Sequence, residues 1–325
     1  MSHWPITFQD VQAARERIGR FLTPTPFRHY APLDQAVGGG ITVGVKHENH
    51  NPTNAFKVRG GLSVMTMLSD EERRRGAVAA SRGNHGQGLA WAGRELGVKV
   101  TICVPVGNSP GKNEAMRGLG AEVVEEGRDY DESVAVANRL VRDRGLLMVH
   151  ATDNPTILAG AATLSVEILE SAPDLDALVV AVGGGSQALG ALTAARELRP
   201  GLKVFGVQAE RASAIHDSWH AGQPISKSSA DTFADGLATR GVYETTFAPL
   251  REGLAGFVTV TEAQIAEGIR LLLRTTCNLA EGAGAAGLAG LVRLRDSLAG
   301  KKVGIILSGS NIDEATLQDV LAGKI

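Results

Sequence analysis

Residues 178–187 have the sequence Leu-Val-Val-Ala-Val-Gly-Gly-Gly-Ser-Gln, an apolar run that ends in three glycines. The apolar run predicts a buried strand, and the segment rich in alanine and leucine that follows to Leu198 predicts a helix. The loop between them places free backbone N–H groups at the N-terminus of that helix, where a phosphate binds well. A tight strand–helix turn is the alternative, and the spacing does not match the G-x-G-x-x-G pattern of a dinucleotide site. The loop therefore predicts a phosphate site at Gly183, Gly184, Gly185 and Ser186.

The same alternation of apolar strands and helices extends over most of the chain. A first group of strands is predicted at 76–80, 98–104 and 120–124, with helices at 84–96 and 113–119 between them. A second group is predicted at 178–182, 203–208 and 302–307. Short strands separated by helices predict parallel sheets that are covered on both faces. The sequence therefore predicts an α/β fold with a small and a larger open sheet, and ligands are expected at the carboxyl ends of the strands.

The composition excludes several classes of function. The chain has 325 residues, a formal net charge of −2 and no basic block, so no nucleic-acid partner is predicted. We find no stretch of membrane-span length and no apolar run of the kind that begins a secretory signal, so no membrane partner is predicted. Cys103 and Cys277 lie outside any metal-ligand spacing. These features, with 43% hydrophobic residues, fit a cytoplasmic enzyme.

Three further motifs contain candidate site residues. Residues 51–61 have the sequence Asn-Pro-Thr-Asn-Ala-Phe-Lys-Val-Arg-Gly-Gly, in which Lys57 follows an aromatic residue and precedes paired glycines. A desolvated lysine amine can form a Schiff base with an aldehyde cofactor. Residues 81–88 (Ser-Arg-Gly-Asn-His-Gly-Gln-Gly) lie between a predicted strand and a predicted helix. Residues 307–311 (Leu-Ser-Gly-Ser-Asn) follow the last predicted strand.

In this order, the four motifs resemble the signature of the pyridoxal-phosphate enzymes of the tryptophan-synthase β fold type. Within that group they are most similar to the branch of serine and threonine dehydratases and serine racemases. The resemblance runs from about Thr23 to the C-terminus. It implies a large cofactor-binding domain (1–68 and 150–325), a small inserted α/β domain (69–149) and pyridoxal 5'-phosphate in the cleft between them. It also implies a homodimer and a small-molecule amino acid substrate.

The resemblance gives individual residues expected roles. Lys57 is expected to bind the cofactor as a Schiff base and then to act as general base at the substrate Cα. Asn84 is expected to hydrogen-bond the cofactor's 3-hydroxyl group, and Ser308 its pyridine nitrogen. The further expected cofactor contacts are Phe56, Gly183, Gly184, Gly185, Ser186, Gln187, Gly236 and Glu281, and the expected substrate-binding residues are Ser81, Arg82, Gly83, Asn84 and His85. The structural alternatives are a helix-start acid for Glu281, a satisfied loop histidine for His85 and a turn serine for Ser308.

Four positions depart from the family pattern. Arg82 stands where serine racemases have a serine that acts as the second acid/base, and because arginine is a poor base, racemisation by two bases is not expected. Arg82 is expected either to contact a substrate carboxylate or to point to solvent. Asn54 and Ala55 replace a Gly-Ser pair, a change expected where a pocket has adapted to another substrate side chain. Gln208 replaces the first acid of the metal site that some members have, so no metal is predicted.

The resemblance therefore implies a lyase that removes water and ammonia from a 3-hydroxy amino acid and releases a 2-oxo acid. Ser308 favours elimination, because a hydroxyl partner leaves the pyridine nitrogen largely neutral and makes the ring a weaker electron sink. Threonine and serine are the default substrates, and phenylserine and 3-hydroxyaspartate are the alternatives. A β-replacement synthase and a non-catalytic protein on the same scaffold are the rival functions.

Overall fold

The computed structural model describes residues 4–325, whose strands form two sheets. The strands are β1 (Phe27–His29), β2 (Thr42–His47), β3 (Ala77–Ala80), β4 (Val100–Val104), β5 (Glu122–Glu125), β6 (Leu147–Met148), β7 (Ala177–Ala181), β8 (Lys203–Ala209), β9 (Gly256–Val260) and β10 (Lys302–Leu307). The α-helices are α1 (Phe8–Ile18), α2 (Ala31–Val37), α3 (Lys57–Met65), α4 (Asp70–Arg75), α5 (Asn84–Leu96), α6 (Pro110–Gly118), α7 (Tyr130–Arg144), α8 (Pro155–Ser171), α9 (Ser186–Leu198), α10 (Ala214–Ala221), α11 (Glu244–Gly253), α12 (Glu262–Thr276), α13 (Gly282–Arg293) and α14 (Glu314–Leu321). Over the described range, none of these helices combines the length and the apolar character needed to cross a membrane.

The larger sheet has the strand order β1-β2-β10-β7-β8-β9 and is parallel except for β1. Every residue of β7 is buried. Successive side chains of this strand point to opposite faces: Val179 packs into the hydrophobic core with α12 and α13, and Val180 packs with α8 and α9. The sheet is therefore covered by helices on both faces, as expected for parallel strands that are apolar throughout.

The smaller sheet has the order β5-β4-β3-β6, and its strands are all parallel. Its first three strands correspond to the strands predicted from the sequence, with ends shifted by one or two residues. The sequence does not predict β6, because a two-residue strand carries no periodic pattern. The two mostly parallel sheets agree with the predicted fold class, while the domain boundaries at 69 and 149 stay predictions.

Glycines allow three helices to pack backbone to backbone beside the cleft between the sheets. A Cβ at Gly61 in α3 would lie 2.8 Å from the carbonyl oxygen of Gly88 in α5. A Cβ at Gly160 in α8 would lie 2.6 Å from the carbonyl oxygen of Arg59 in α3. Since interiors are close-packed, a larger residue at either glycine would push the helices apart. The starts of α3 and α5 thus have closely defined relative positions.

Candidate active site

A cavity of about 700 Å³ lies in the cleft, at the carboxyl ends of β3, β7 and β10. Loops from both sheets line it, together with the start of α3. Every residue predicted for the site is on its wall: Phe56, Lys57, Ser81, Arg82, Gly83, Asn84, His85, Gly183, Gly184, Gly185, Ser186, Gln187, Gly236, Glu281 and Ser308. The fold therefore brings all four sequence motifs to one place, which is the usual ligand position in open α/β sheets.

The amine of Lys57 lies inside this cavity. Lys57 is the first residue of α3, and its Nζ donates a long hydrogen bond of 3.4 Å to the carbonyl oxygen of Ala151. The Phe56 ring lies beside it, with 5.1 Å between Nζ and the ring centroid. Burial lowers the pKa of Lys57 from 10.5 to about 8. About one tenth of the amine is therefore unprotonated at about pH 7, far more than for an ordinary lysine, and is able to act as nucleophile or base.

The glycine loop after β7 forms a cradle with no room for side chains. A Cβ at Gly183 would lie 2.0 Å from the carbonyl oxygen of Gly236, and one at Gly184 would lie 2.2 Å from Oγ1 of Thr152. Gly185 has a φ of +92°, which glycine adopts without strain. No side chain of the described residues caps the N-terminus of α9 at Ser186. Its free N–H groups and helix dipole therefore favour an anion at this position.

A second helix N-terminus, that of α5, lies on the wall formed by residues 81–85. The Ser81 hydroxyl accepts hydrogen bonds from the backbone N–H groups of Gly83 (3.2 Å) and Gly86 (2.9 Å), so it shapes the loop. Gly83 occupies the N-cap without a side-chain cap. Ser81 thus satisfies the N–H of Gly86 in the first turn of α5, and the N–H groups of α5 that precede Gly86 suit a carboxylate. A direct contact between Ser81 and a substrate stays a prediction.

His85 is held in its neutral form beside Lys57. Its Nε2–H donates to the carbonyl oxygen of Val149 at 3.1 Å, which leaves the lone pair on Nδ1 without a hydrogen bond among residues 4–325. Burial, and secondly the charge of Lys57, lower the pKa of His85 to about 3. An uncharged imidazole cannot pair with a substrate carboxylate as an ion, so any contact with substrate is through its neutral ring.

Asn84 belongs to a hydrogen-bond chain that crosses the cleft. Its side-chain N–H donates to Oε1 of Glu281 at 2.6 Å, and its side-chain oxygen accepts from Asn311 Nδ2 at 2.7 Å. Burial raises the pKa of Glu281 to about 7, against the opposing effects of Asn84 and Lys112. The chain fixes the orientation of the Asn84 amide at the cavity wall. The sequence motif at 307–311 contains Asn311, but the motif alone does not predict that Asn311 bonds Asn84.

Ser308 directly follows the buried strand β10 and is 3% exposed. Its carbonyl oxygen accepts from the N–H of Phe56 at 3.0 Å, and Ala55 and Gly309 pair as an isolated antiparallel bridge. These backbone contacts place the Ser308 side chain and the start of α3 on the same wall. Ser308 therefore presents a hydroxyl on the cavity wall, and its contact with the pyridine nitrogen stays a prediction.

Ion pairs that the sequence did not predict cross the cleft beside the site. Asp235 pairs with Arg82 (Nη1 to Oδ1, 3.7 Å) and with Lys112 (Nζ to Oδ2, 2.6 Å), and Lys112 also lies 3.4 Å from Asp313 Oδ2. Arg82 is half exposed, whereas the Lys112 side chain is only 12% exposed. Arg82 is thus half exposed to solvent and lies in a long ion pair with Asp235, and its contact with a substrate carboxylate stays a prediction. The only sequence signal for Asp235 was its position next to Gly236, a predicted cofactor contact.

Three of the departures from the family pattern lie away from the cavity wall. Asn54 has a φ of +54°, a conformation that asparagine tolerates better than most residues, so it can replace a glycine there. Ala55 is fully buried, and neither residue lines the cavity. Neither residue therefore reaches a ligand in the cavity itself, and an effect of this pair on the choice of substrate stays a prediction. Gln208 donates to Thr239 Oγ1 (3.1 Å) and accepts from the N–H of His216 (3.0 Å). Among residues 4–325 no group of acidic, histidine or cysteine side chains is arranged to hold a metal.

The cavity fits pyridoxal phosphate on the residues present. The glycine cradle at Gly183–Gly185 is shaped for a phosphate, and the amine of Lys57 is available for an aldehyde. Gln187 Oε1 is buried on the same wall and has no hydrogen-bond partner within the described chain. A buried polar atom without a partner is costly, so a ligand that supplies a donor would stabilise it.

Residues 18–309 match the family model described as pyridoxal-phosphate dependent enzyme. The chain is 37% identical over 308 residues to the L-threonine ammonia-lyase of Thermotoga maritima, a match that covers 95% of this chain and 76% of that protein. It is 34% identical over 318 residues to the L-threo-3-hydroxyaspartate ammonia-lyase of Saccharomyces cerevisiae, which covers 98% of this chain and 97% of that one. The processed form of threonine deaminase isoform 2 from Solanum lycopersicum superimposes with a TM-score of 0.92 at 31% identity, covering 97% and 91% of the two chains. These matches confirm the predicted fold type and the predicted cofactor, pyridoxal phosphate.

Proposed function

The chain belongs to the family of pyridoxal-phosphate-dependent enzymes, and on that premise we propose that it catalyses β-elimination from a 3-hydroxy amino acid. The products are a 2-oxo acid and ammonia. The observation that carries this proposal is the partly buried amine of Lys57, which lies in the same cavity as the N-termini of α5 and α9. One amine beside two anion sites suits a substrate that has a carboxylate and a cofactor that has a phosphate.

Each part of the site has a proposed share in the reaction. The cofactor supplies an electron sink for the pair that is left when the Cα proton is removed. Lys57 takes that proton, because burial lowers the pKa of its amine to about 8 and so increases the fraction that is neutral near neutral pH. The N–H groups at the start of α5 hold the substrate carboxylate and so orient the Cα–H bond toward Lys57. The N–H groups at the start of α9 hold the cofactor phosphate.

Ser308 favours elimination over reactions that need a long-lived carbanion. Its hydroxyl can hydrogen-bond a pyridine nitrogen but, unlike a carboxylate, does not keep that nitrogen protonated. A neutral ring stabilises negative charge less, so early loss of the β-hydroxyl is favoured. A β-replacement synthase would begin with the same loss of the β-substituent, and relatives named as ammonia-lyases support elimination as the complete reaction.

We propose a substrate with a neutral side chain, threonine or serine. Among the relatives, one is named for threonine and one for 3-hydroxyaspartate. The cations nearest the substrate loop, Arg82 and Lys112, are already paired with Asp235. A second substrate carboxylate would have to displace Asp235, which lies near two further acids, Asp313 and Glu281. Like charges at close range disfavour an acidic side chain there.

The test is release of 2-oxo acid from L-threonine, L-serine, L-threo-phenylserine and L-threo-3-hydroxyaspartate. We expect turnover of threonine and serine. The turnover rate should fall by at least about 10²–10⁴-fold in Lys57→Ala, since a general base usually contributes a factor of this size. Lys99→Ala, a change at an exposed lysine, is the matched control and should leave turnover unchanged. Turnover confined to 3-hydroxyaspartate would overturn the proposal that the substrate has a neutral side chain. Equal activity of wild type and Lys57→Ala would overturn the elimination itself.

A homodimer and a cytoplasmic location are part of the same proposal. Both rest on the family resemblance, and the mass of the protein in solution by light scattering tests the first. A monomer at micromolar concentration would contradict it.

A further inference from the structure

Four charged side chains are buried together beneath the site, outside the cavity wall. Lys46, Glu48, Arg59 and Glu167 have side-chain exposures of 0%, 0%, 1% and 8%. We call this group the Arg59 cluster. It has two positive and two negative side chains, so its formal charges balance. Groups of this kind are rarely buried, because removing charges from water is costly.

Arg59 is the centre of the cluster and bonds both acids with its planar fork. Its Nε and Nη2 donate to the two Glu48 oxygens at 2.7 and 2.8 Å. Its Nη1 and Nη2 donate to the two Glu167 oxygens at 2.7 and 2.8 Å. Nη1 also donates to Thr163 Oγ1 at 3.1 Å. Bidentate contacts of this type fix orientation as well as distance.

The cluster lies next to the residue that the reaction depends on. Arg59 is the third residue of α3, and Lys57 is the first. Residues i and i+2 point to nearly opposite sides of a helix, so the Lys57 side chain faces the cavity while the Arg59 side chain faces the cluster. No side chain of the described chain caps the start of α3. The bonds of the Arg59 guanidinium therefore add side-chain restraints to the backbone contacts that position this turn.

The two acids connect Arg59 to both segments that set the position of the Lys57 amine. Glu48 belongs to the turn before the 51–56 segment, and its Oε2 also accepts from Asn51 Nδ2 at 2.8 Å. Glu167 lies on α8, and the residues just before α8 include Ala151, whose carbonyl accepts from Lys57 Nζ. The Arg59 guanidinium thus links two segments. One is the turn that precedes Lys57, and the other is α8, which follows Ala151, the hydrogen-bond partner of Lys57.

We propose that Arg59 is a positioning residue, which through Glu48 and Glu167 holds the first turn of α3 so that the Lys57 amine keeps its position against the carbonyl oxygen of Ala151. The inference rests on the proposed role of Lys57. An apolar group of the same volume would stabilise the interior about as well. An apolar group at this position would not fix the orientation of the start of α3, as the bidentate contacts of Arg59 do.

The experiment compares Arg59→Lys and Glu48→Gln with wild type and with Arg15→Lys. Arg59→Lys keeps the positive charge but removes the fork, and Glu48→Gln keeps the shape of its partner, so the test does not depend on a cavity-forming change. Arg15 makes a matched bidentate contact with α8, to Glu170 at 2.6 and 2.5 Å, but from the partly exposed surface of α1. Arg15→Lys therefore removes a fork on the same helix without touching α3.

The main readout is the rate of acylation of Lys57 in the cofactor-free protein as a function of pH, measured by peptide mass spectrometry. The pKa of Lys57 is lowered by burial alone, and the neighbouring His85 and His150 are kept neutral by burial that lowers their pKa values. Entry of water beside the amine therefore acts directly on its pKa. Wild type and Arg15→Lys should have a midpoint near pH 8. The midpoint in Arg59→Lys and Glu48→Gln should rise by about one unit toward the ordinary lysine value.

The second readout is the Kd for pyridoxal phosphate, expected to weaken about tenfold in the two cluster variants, the factor that corresponds to one pKa unit. Urea unfolding establishes that each variant is folded under the assay conditions. Loss of stability with an unchanged midpoint and Kd would overturn the proposal, because a merely structural residue would behave so. A wild-type midpoint near that of exposed lysines would overturn its premise. If wild type turned over no 3-hydroxy amino acid but the midpoints shifted as expected, the proposed function would fail and the positioning role would stand.

Discussion

Glu281→Gln is expected to stabilise the cofactor-free protein at alkaline pH. Burial raises the pKa of Glu281 from 4.5 to about 7, so the folded protein binds this proton more tightly than the unfolded chain does. The stability that comes from the neutral carboxyl is fully present below pH 4.5 and is lost as the pH rises through about 7. The difference of about 2.5 pH units, at about 1.36 kcal/mol each, gives a loss of about 3 kcal/mol.

The glutamine side chain removes this dependence and keeps the geometry. It has the same shape, and its oxygen can still accept from the Asn84 side chain, which lies 2.6 Å from Glu281 Oε1. The two proteins should therefore be about equally stable at about pH 4. The variant should be more stable by about 3 kcal/mol at about pH 8, where wild type has buried a carboxylate.

Urea unfolding of both proteins at several pH values measures this difference directly. Glu16→Gln, at an exposed position on α1, is the control and should leave the pH profile unchanged. Parallel profiles for wild type and Glu281→Gln would refute the reasoning, since they would mean that Glu281 ionises in the fold as easily as in water. A variant that is less stable at every pH would instead show that the Asn84 contact needs a carboxylate.

Two further changes test the cradle and the neutral histidine. Gly184→Ala should weaken binding of pyridoxal phosphate by about 1–3 kcal/mol, because its Cβ would lie 2.2 Å from Thr152 Oγ1; Gly118→Ala, where a Cβ meets nothing within 4 Å, is the control for equilibrium dialysis. Equal affinities would mean that the loop can move away from Thr152. Burial lowers the pKa of His85 to about 3, so its ¹⁵N resonances should not titrate between about pH 5 and about pH 8. The stability that comes from the neutral His85 ring should be fully present above pH 6.5 and should decline as the pH falls toward 3. A change of the ¹⁵N resonances with a midpoint near 6.5 would instead show that water reaches the ring.

The local motifs predicted most of the fold, because each depends on residues that are close in sequence. An apolar run, a glycine loop and an Ala-rich helix around Gly183 specify a strand–loop–helix unit with little help from the rest of the chain. The same is true of the loop at Ser81 and of Ser308 after β10. The parallel arrangement then follows from the alternation of strands and helices. It brings the loops to one edge, which is why residues far apart in sequence were expected at one site.

The contacts between motifs were not predictable, because they depend on how the two sheets face each other. Thr152 meets Gly184, and Lys112 meets Asp235, only after the smaller sheet is placed against the larger one. No spacing rule connects such positions in a single sequence. The hydroxyl of Ser81 illustrates the same limit, since a loop serine can bond a ligand or its own loop, and the structure has it accept from two loop N–H groups.

The titratable groups nearest the reaction share one electrostatic trend. Burial lowers the pKa values of Lys57 and His85 and raises the pKa of Glu281, so each moves toward its uncharged form. Ser308 adds a partner that has no charge at all. A phosphate in the glycine cradle would therefore be met by helix dipoles and N–H groups rather than by side-chain cations. In such surroundings the Lys57 amine is not bound to a permanent counter-ion, and it can accept the Cα proton without first breaking an ion pair. Fixed dipoles at the starts of α5 and α9 can then act on the charge that develops in the reaction.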